Sequence, residues 1–253
     1  MRRRLLYGIL TASALGAIAV LAALLAQRPA WEARERAEAL VAQAQELAAR
    51  GEHQAARAAV EQALVADPRN RRARRERAMQ YVAQGKRQEA AKELVGVAQL
   101  SPGDPGAAWE AAFALNAAGD TRRAVEWFRR VVALQPNNGI AHALIGQGLL
   151  QLGDAAGAVK EAEEGVRLSP RAAMAYLTLG QAKMERGDLA GAKAAFDELL
   201  ALRPSEVSVM LTLARLCVLM KREGEASGYL AQALDLARTD PGARAAVERA
   251  LGR

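Results

Sequence analysis

Proline recurs at Pro68, Pro102, Pro136, Pro170 and Pro204, an unbroken step of 34 residues. Two helices of three to four turns and two short turns fill such a step. Glycine keeps the same interval at Gly51, Gly85, Gly119, Gly153 and Gly187, each 17 residues ahead of its proline. Glycine in that place suits a first helix that ends in the left-handed conformation, which residues with a Cβ avoid. Alanine follows the same beat at Ala56, Ala90, Ala124, Ala158, Ala192 and Ala226. The spacing predicts stacked helix pairs, each burying its apolar face only against its neighbours.

Counting back from each proline gives repeats at 37–70, 71–104, 105–138, 139–172, 173–206 and 207–240. Each first helix carries a small residue where two helices must come close: Ala44, Ala78, Ala112, Gly146, Gly180 and Ala214. In the second helices an apolar residue follows the periodic alanine four later, at Val60, Leu94, Phe128, Ala162, Phe196 and Leu230, and Leu100, Leu134, Leu168, Leu202 and Leu236 close the stripe. This pattern of small residues, glycine and proline resembles the tetratricopeptide repeat family over about 200 residues. The resemblance implies an all-α, right-handed α-solenoid of six helix-turn-helix repeats that binds protein partners.

The sixth repeat departs from the pattern, with Lys221 in place of the turn glycine and Arg238 in place of the proline. The array ends there, and Asp240, Pro241 and Gly242 read as a turn into a capping helix, Ala243 to Leu251, within a C-terminal segment 241–253. The second repeat carries Arg74 and Arg77 where the family prefers apolar packing, so looser packing with snorkelling arginine stems is expected between repeats one and two.

Ahead of the repeats, Arg2, Arg3 and Arg4 precede an uncharged stretch from Leu5 to Ala26, which Gln27, Arg28 and Pro29 end. At about 1.5 Å per residue this stretch spans about 33 Å, enough for a hydrocarbon core of about 30 Å. A secretory leader is the competing reading, since small residues at Ala17 to Ala19 and Val20 to Ala22 offer cleavage sites. Leader cores are shorter, about 7–15 residues, and cutting here would leave Ala23 to Ala26 behind. The reading is therefore an uncleaved single-pass anchor in 1–28, a linker in 29–36, and repeats in 37–240. No cysteine stands near the segment to carry a lipid. The basic flank predicts a cytoplasmic N-terminus in the inner membrane and a periplasmic repeat domain. Gly8, Ala12 and Gly16 at four-residue spacing would allow close helix contact within the bilayer.

The residues offer little for chemistry. His53 and His142 stand far apart with no second ligand at metal spacing, and Cys217 occupies a register position that is apolar in other repeats, as at Leu47, Tyr81, Leu115 and Leu149. There is no phosphate-binding glycine loop and no nucleophile elbow, so neither an enzyme nor a cofactor is expected.

Charge is concentrated. Between residues 69 and 87, eight basic residues (Arg69, Arg71, Arg72, Arg74, Arg75, Arg77, Lys86, Arg87) face only Glu76. Such a patch could hold anionic lipid headgroups or an acidic partner segment, or be a solvated helix face. Nucleic acid is not expected, because no aromatic stacking platform accompanies the arginines.

The resemblance further implies a concave surface lined by first helices. Its inward positions fall on Arg72, Arg75, Met79, Trp109, Phe113, Asn116, Ile140, Gln147, Met174, Thr178, Gln181, Ser208, Thr212 and Arg215. Trp109 and Phe113 would form an aromatic ridge for a partner with an apolar anchor and a carboxylate; ordinary interhelical packing is the plainer reading of the pair. Family members that clamp acidic chaperone tails use a lysine and asparagine pair. The corresponding positions here hold Val41 with Gln45, Arg75 with Met79, and Trp109 with Phe113, so that ligand is not expected. The expected function is a membrane-anchored adaptor that captures a protein segment while an envelope complex is assembled. Proteins of this layout serve cytochrome c maturation, pilus assembly, secretion and polysaccharide export. The alternative is a self-associating scaffold that forms a homo-oligomer.

Overall fold

A computed structural model describes residues 28–250, and all secondary structure among the described residues is helical. Helix α1 covers 28–49. It is followed by α2 (His53–Ala66), α3 (Arg71–Ala83), α4 (Arg87–Leu100), α5 (Pro105–Ala117) and α6 (Thr121–Leu134). Next come α7 (Gly139–Gln151), α8 (Ala155–Leu168), α9 (Ala173–Glu185), α10 (Leu189–Leu202), α11 (Val207–Leu219), α12 (Glu223–Thr239) and α13 (Pro241–Ala250). The chain divides at Leu100 into two compact units, the first holding α1–α4 and the second α5–α13.

Both periodic residues have a structural cause. The five glycines at the first turn of each repeat have φ between 72° and 83°. The amide three residues after each of these first helices donates back to form the wide closing bond of that turn, as in Asp154 N to Leu149 O at 2.9 Å and Asp188 N to Lys183 O at 2.9 Å. Lys221 adopts φ 59° and Arg222 N donates to Cys217 O at 2.7 Å, so the sixth repeat makes the same turn without its glycine. The prolines stand second in a four-residue turn, where a fixed φ is an advantage: Asn70 N donates to Asp67 O across Pro68, and Asn138 N to Gln135 O across Pro136. At six of these turns the residue that closes the turn, or its equivalent after the glycine, caps the next helix. Asn70, Asp104, Asp120, Asn138, Asp154 and Asp188 each accept a main-chain N–H of the first turn.

In the first unit Ala37, Val41 and Ala44 of α1 pack on Ala59, Val60, Ala63 and Leu64 of α2 and on Ala73 of α3. Residues 29–36, expected to be a linker, are helical and belong to α1. Pro29 is tolerated because it falls in the first turn, where its missing N–H has no helical partner, and Glu32 and Arg28 pair at 2.9 Å. The expected anchor, Leu5 to Ala26, lies outside the described residues. Among those described, no helix is long and apolar enough to cross a membrane.

In the second unit α7 and α8 approach closely through glycine. A Cβ on Gly139 would stand 2.5 Å from Ser169 Oγ and 2.7 Å from the Gly165 carbonyl. Because one of these is backbone, Gly139→Ala is expected to lose about 1–3 kcal/mol of stability, read as a lower urea midpoint at unchanged slope. At the C-terminal end, Val207 and Met210 of α11 and Ala233 and Ala237 of α12 are covered by Ala243 and Val247 of α13. Helix α13 thus caps the array from Pro241 onward, with Ala246 half-buried and Ala250 exposed.

Candidate partner-binding site

In the second unit a pocket of about 360 Å³ opens between α9 and α11. Its floor is the buried ring of Phe196, which reaches through from α10 with Val209 and Leu216 beside it. Leu177, Met184 and Leu219 form apolar walls, and Leu219 is 64% exposed. The polar lining comes from Gln181, Ser208, Thr212 and Arg215, all four inward positions of the repeat register. Ser208 Oγ donates to Glu206 Oε1 at 2.9 Å and Thr212 Oγ1 to the Ser208 carbonyl at 2.8 Å, so both hydroxyls are turned to their own helix. Arg215 is exposed, and it is the one charged residue that lines the pocket.

The local sequence explains the opening. Gly180 lets the Phe196 ring come so near to α9 that an added Cβ would meet three ring carbons at 2.7–2.9 Å. With the ring drawn under α9, the space between α9 and α11 stays open and keeps an apolar base.

A second feature of this unit is a cluster of three rings. Trp109 and Phe113 of α5 lie 5.2 Å apart, and both meet Phe128 of α6 edge-on at 5.6 and 5.5 Å. Phe128 is buried and Trp109 is half-buried, so part of the ridge is interhelical packing, whereas Phe113 is 43% exposed. Trp127 is buried and carries the Arg130 guanidinium 4.2 Å from its ring centre.

Other inward positions are distributed differently. Ile140, Met174 and Met79 are exposed, and Asn116, Gln147 and Arg75 are half-buried. Thr178 does not face a groove. It is 1% exposed and its methyl occupies the space left by Gly146, where a Cβ would come within 3.0 Å. Arg72 is tied to α1, donating to Glu38 Oε2 at 2.9 Å.

In the first unit the basic run splits three ways. Arg74 and Arg77 turn inward to the buried Glu93 of α4, at 3.1 and 2.8 Å. The arginines are therefore clamped between α3 and α4 and do not add to an open patch. Lys86 and Arg87 lie at the opposite end of α3, where Lys86 sits 5.9 Å from the Tyr81 ring centre. Arg69 of the turn before α3 and Arg71 and Arg72 at the start of α3 gather around a cavity of about 550 Å³, joined there by Arg34 of α1.

Two titratable groups of the second unit, Lys193 and Cys217, are held in unreactive states. The Lys193 ammonium is half-buried, which disfavours its charge, but hydrogen bonds to Asp197 (2.9 Å), Glu225 (3.0 Å) and Tyr229 (3.3 Å) outweigh this and hold its pKa above the ordinary value. Burial pushes the Cys217 thiol up. A lysine kept charged and a thiol kept protonated are poor nucleophiles at neutral pH. His142 and Glu161 form a pair at 2.7 Å between α7 and α8. Among the described residues no three His, Cys, Asp or Glu side chains converge to hold a metal.

One sequence profile of the tetratricopeptide repeat matches residues 81–148 and 183–250, and another matches 41–105 and 143–207, each covering more than half of the chain. The chain belongs to the tetratricopeptide repeat family. Proteins of this family are protein-interaction scaffolds and are typically not enzymes. No curated protein matches the sequence. Among solved structures, MamA of Desulfovibrio magneticus RS-1, from its residue 41 to the end, is 26% identical with a TM-score of 0.61, over 67% of this chain and 96% of that one. PilF of Pseudomonas aeruginosa is 17% identical with a TM-score of 0.59, over 88% of this chain and all of the other. A tetratricopeptide repeat protein of Parabacteroides merdae is 17% identical with a TM-score of 0.63, over 79% and 80%. These two share the fold. The residues that line the pocket from outside the register, chiefly Phe196, Met184 and Leu219, could not be found by counting inward positions of first helices; Leu219 alone gives a signal, as the apolar residue that ends a helix where the turn glycine is missing.

Proposed function

We propose that the chain is a membrane-anchored adaptor that holds a segment of a partner protein in the pocket between α9 and α11 while a bacterial envelope complex is assembled. The single observation that carries this is the make-up of that pocket: an apolar floor and walls, two hydroxyls already engaged at their own helix, and one exposed cation. A segment that fits offers an apolar side chain to Phe196 and a carboxylate to Arg215. The anchor in Leu5–Ala26 and a periplasmic repeat domain complete the reading, on the strength of the apolar run and the arginines before it.

The test is photo-crosslinking in cells of the full-length protein from position 181, at the pocket, and from position 194, exposed on α10 away from it. A foreign protein captured from 181 and not from 194, with Arg215→Glu lowering the yield about tenfold, is the expected result. Equal capture from both positions, or a yield indifferent to Arg215→Glu, would remove the pocket from the function.

A second reading, self-association, is favoured by the end of the array. Val218, Leu219, Leu230 and Leu234 are all exposed there, and the first two and Leu211 flank a shallow apolar cleft at the edge of α13. In that case adducts from 181 would be to the protein itself, and Leu230→Glu would convert the detergent-solubilised oligomer to a monomer in sedimentation.

A further inference from the structure

We infer that the cavity lined by Arg34, Arg69, Arg71 and Arg72 is a seat for the phosphate of an anionic lipid. This deepens the proposed membrane anchoring and rests on it. The four arginines come from two places at least 35 residues apart in sequence, α1 and the turn into α3 with the first residues of α3, and meet around a space of about 550 Å³. Glu38 and Asp67 also line it. The acids are already engaged. Glu38 accepts from Asn70 Nδ2 at 2.7 Å and from Arg72 at 2.9 Å, and Asp67 Oδ1 accepts the Arg69 main-chain N–H at 2.9 Å. Asn70, buried, also caps α3 through Ala73 N at 2.8 Å, which fixes this wall of the cavity. With Glu38 holding Arg72 and Asp67 holding the Arg69 main chain, the Arg34 and Arg69 side chains leave positive charge at the cavity that an incoming anion can meet. Guanidinium groups bind phosphate oxygens in pairs of parallel hydrogen bonds.

The position of the cavity selects the lipid among phosphate sources. Arg34 lies six residues into the described part of α1, about 9 Å along the axis from residue 28, and the apolar stretch ends at Ala26. The headgroup layer adds about 5–8 Å on each side of the hydrocarbon core. A long side chain such as that of Arg34 bridges the remainder. Trp31, one turn earlier on α1, is 69% exposed, and a tryptophan of that kind is the residue most at home at a membrane interface.

The experiment uses the full-length protein in a neutral detergent, titrated with phosphatidylglycerol or phosphatidylcholine and examined by native mass spectrometry. Retained phosphatidylglycerol adducts should exceed phosphatidylcholine adducts, and Arg34→Gln with Arg69→Gln should lower them about fivefold or more. Arg57→Gln with Arg87→Gln, which removes the same charge from exposed sites on α2 and α4, should leave them within about twofold. Equal loss in both double variants, or none in the first, overturns the seat. Carbonate extraction of cell membranes tests the anchor separately: a wild-type chain released by carbonate would end the anchored reading, whereas a resistant chain with adducts indifferent to Arg34 and Arg69 would end only the lipid seat.

Discussion

Phe196→Ala is expected to cost the second unit about 3–5 kcal/mol, the largest stability loss among the substitutions considered for this chain. The ring is 2% exposed and joins Ala192 and Leu199 of α10 to Val209, Leu213 and Leu216 of α11. Its loss opens a void that α9 cannot fill, because the facing residue is Gly180 and has no side chain to offer. Urea unfolding followed by circular dichroism should show the lower midpoint. A companion measurement tests the contact itself. Gly180→Ala alone should destabilise, since its Cβ would stand 2.7 Å from the ring, but should be harmless or better in a Phe196→Leu background, where the ring edge is gone. Additive effects would mean that the ring does not rest on Gly180. Because the same ring is the floor of the pocket, Phe196→Leu should also weaken partner capture from position 181.

Glu93→Ala should cost the first unit about 2–4 kcal/mol. Its side chain is 8% exposed and it is the acid that both Arg74 and Arg77 reach from α3. Removing it leaves two partly buried guanidinium groups facing each other with no carboxylate between them, apart from the Glu61 contact of Arg77 at 3.3 Å. The arginines retain some contact with water, so the loss should lie at the lower end of the range for a fully buried pair. Gly96 belongs to the same arrangement, because a Cβ there would come within 3.0 Å of Arg74 Nη1. The check is hydrogen exchange of the α3 and α4 amides: faster exchange confined to those helices is expected in Glu93→Ala. Replacing Glu93, Arg74 and Arg77 together by leucine or methionine should recover most of the loss. If the triple replacement were as unstable as the single one, the charges themselves would be contributing stability.

The framework was legible because it is written in local rules. A turn that needs positive φ wants glycine, and a turn that needs fixed φ wants proline; these two demands recur every 34 residues. Residues 29–36, expected to be a linker, are helical, since proline at the start of a helix is permitted. The candidate site was legible in part. Register placed Gln181, Ser208, Thr212 and Arg215 on one face, and the pocket gathers all four. Register also placed Thr178 on that face, and there the absence of a side chain at Gly146 drew it into the core. Phe196 and Glu93 stand on second helices and act across an interface, and Arg34 meets Arg69 only after three helices have packed. No pattern within a single repeat carries that information.

The turn at Lys221 has a consequence for how the chain can be rearranged. A side chain in the left-handed region costs about 1–2 kcal/mol, yet Lys221 takes the same backbone path as the five glycines. The path is therefore imposed by the helices on either side, and the glycine only makes it easier. Cut and rejoined at these turns, repeats would be exchangeable parts: a unit transplanted from one place in the array to another would carry its pocket residues with it, and the joint would close whether or not it brought a glycine.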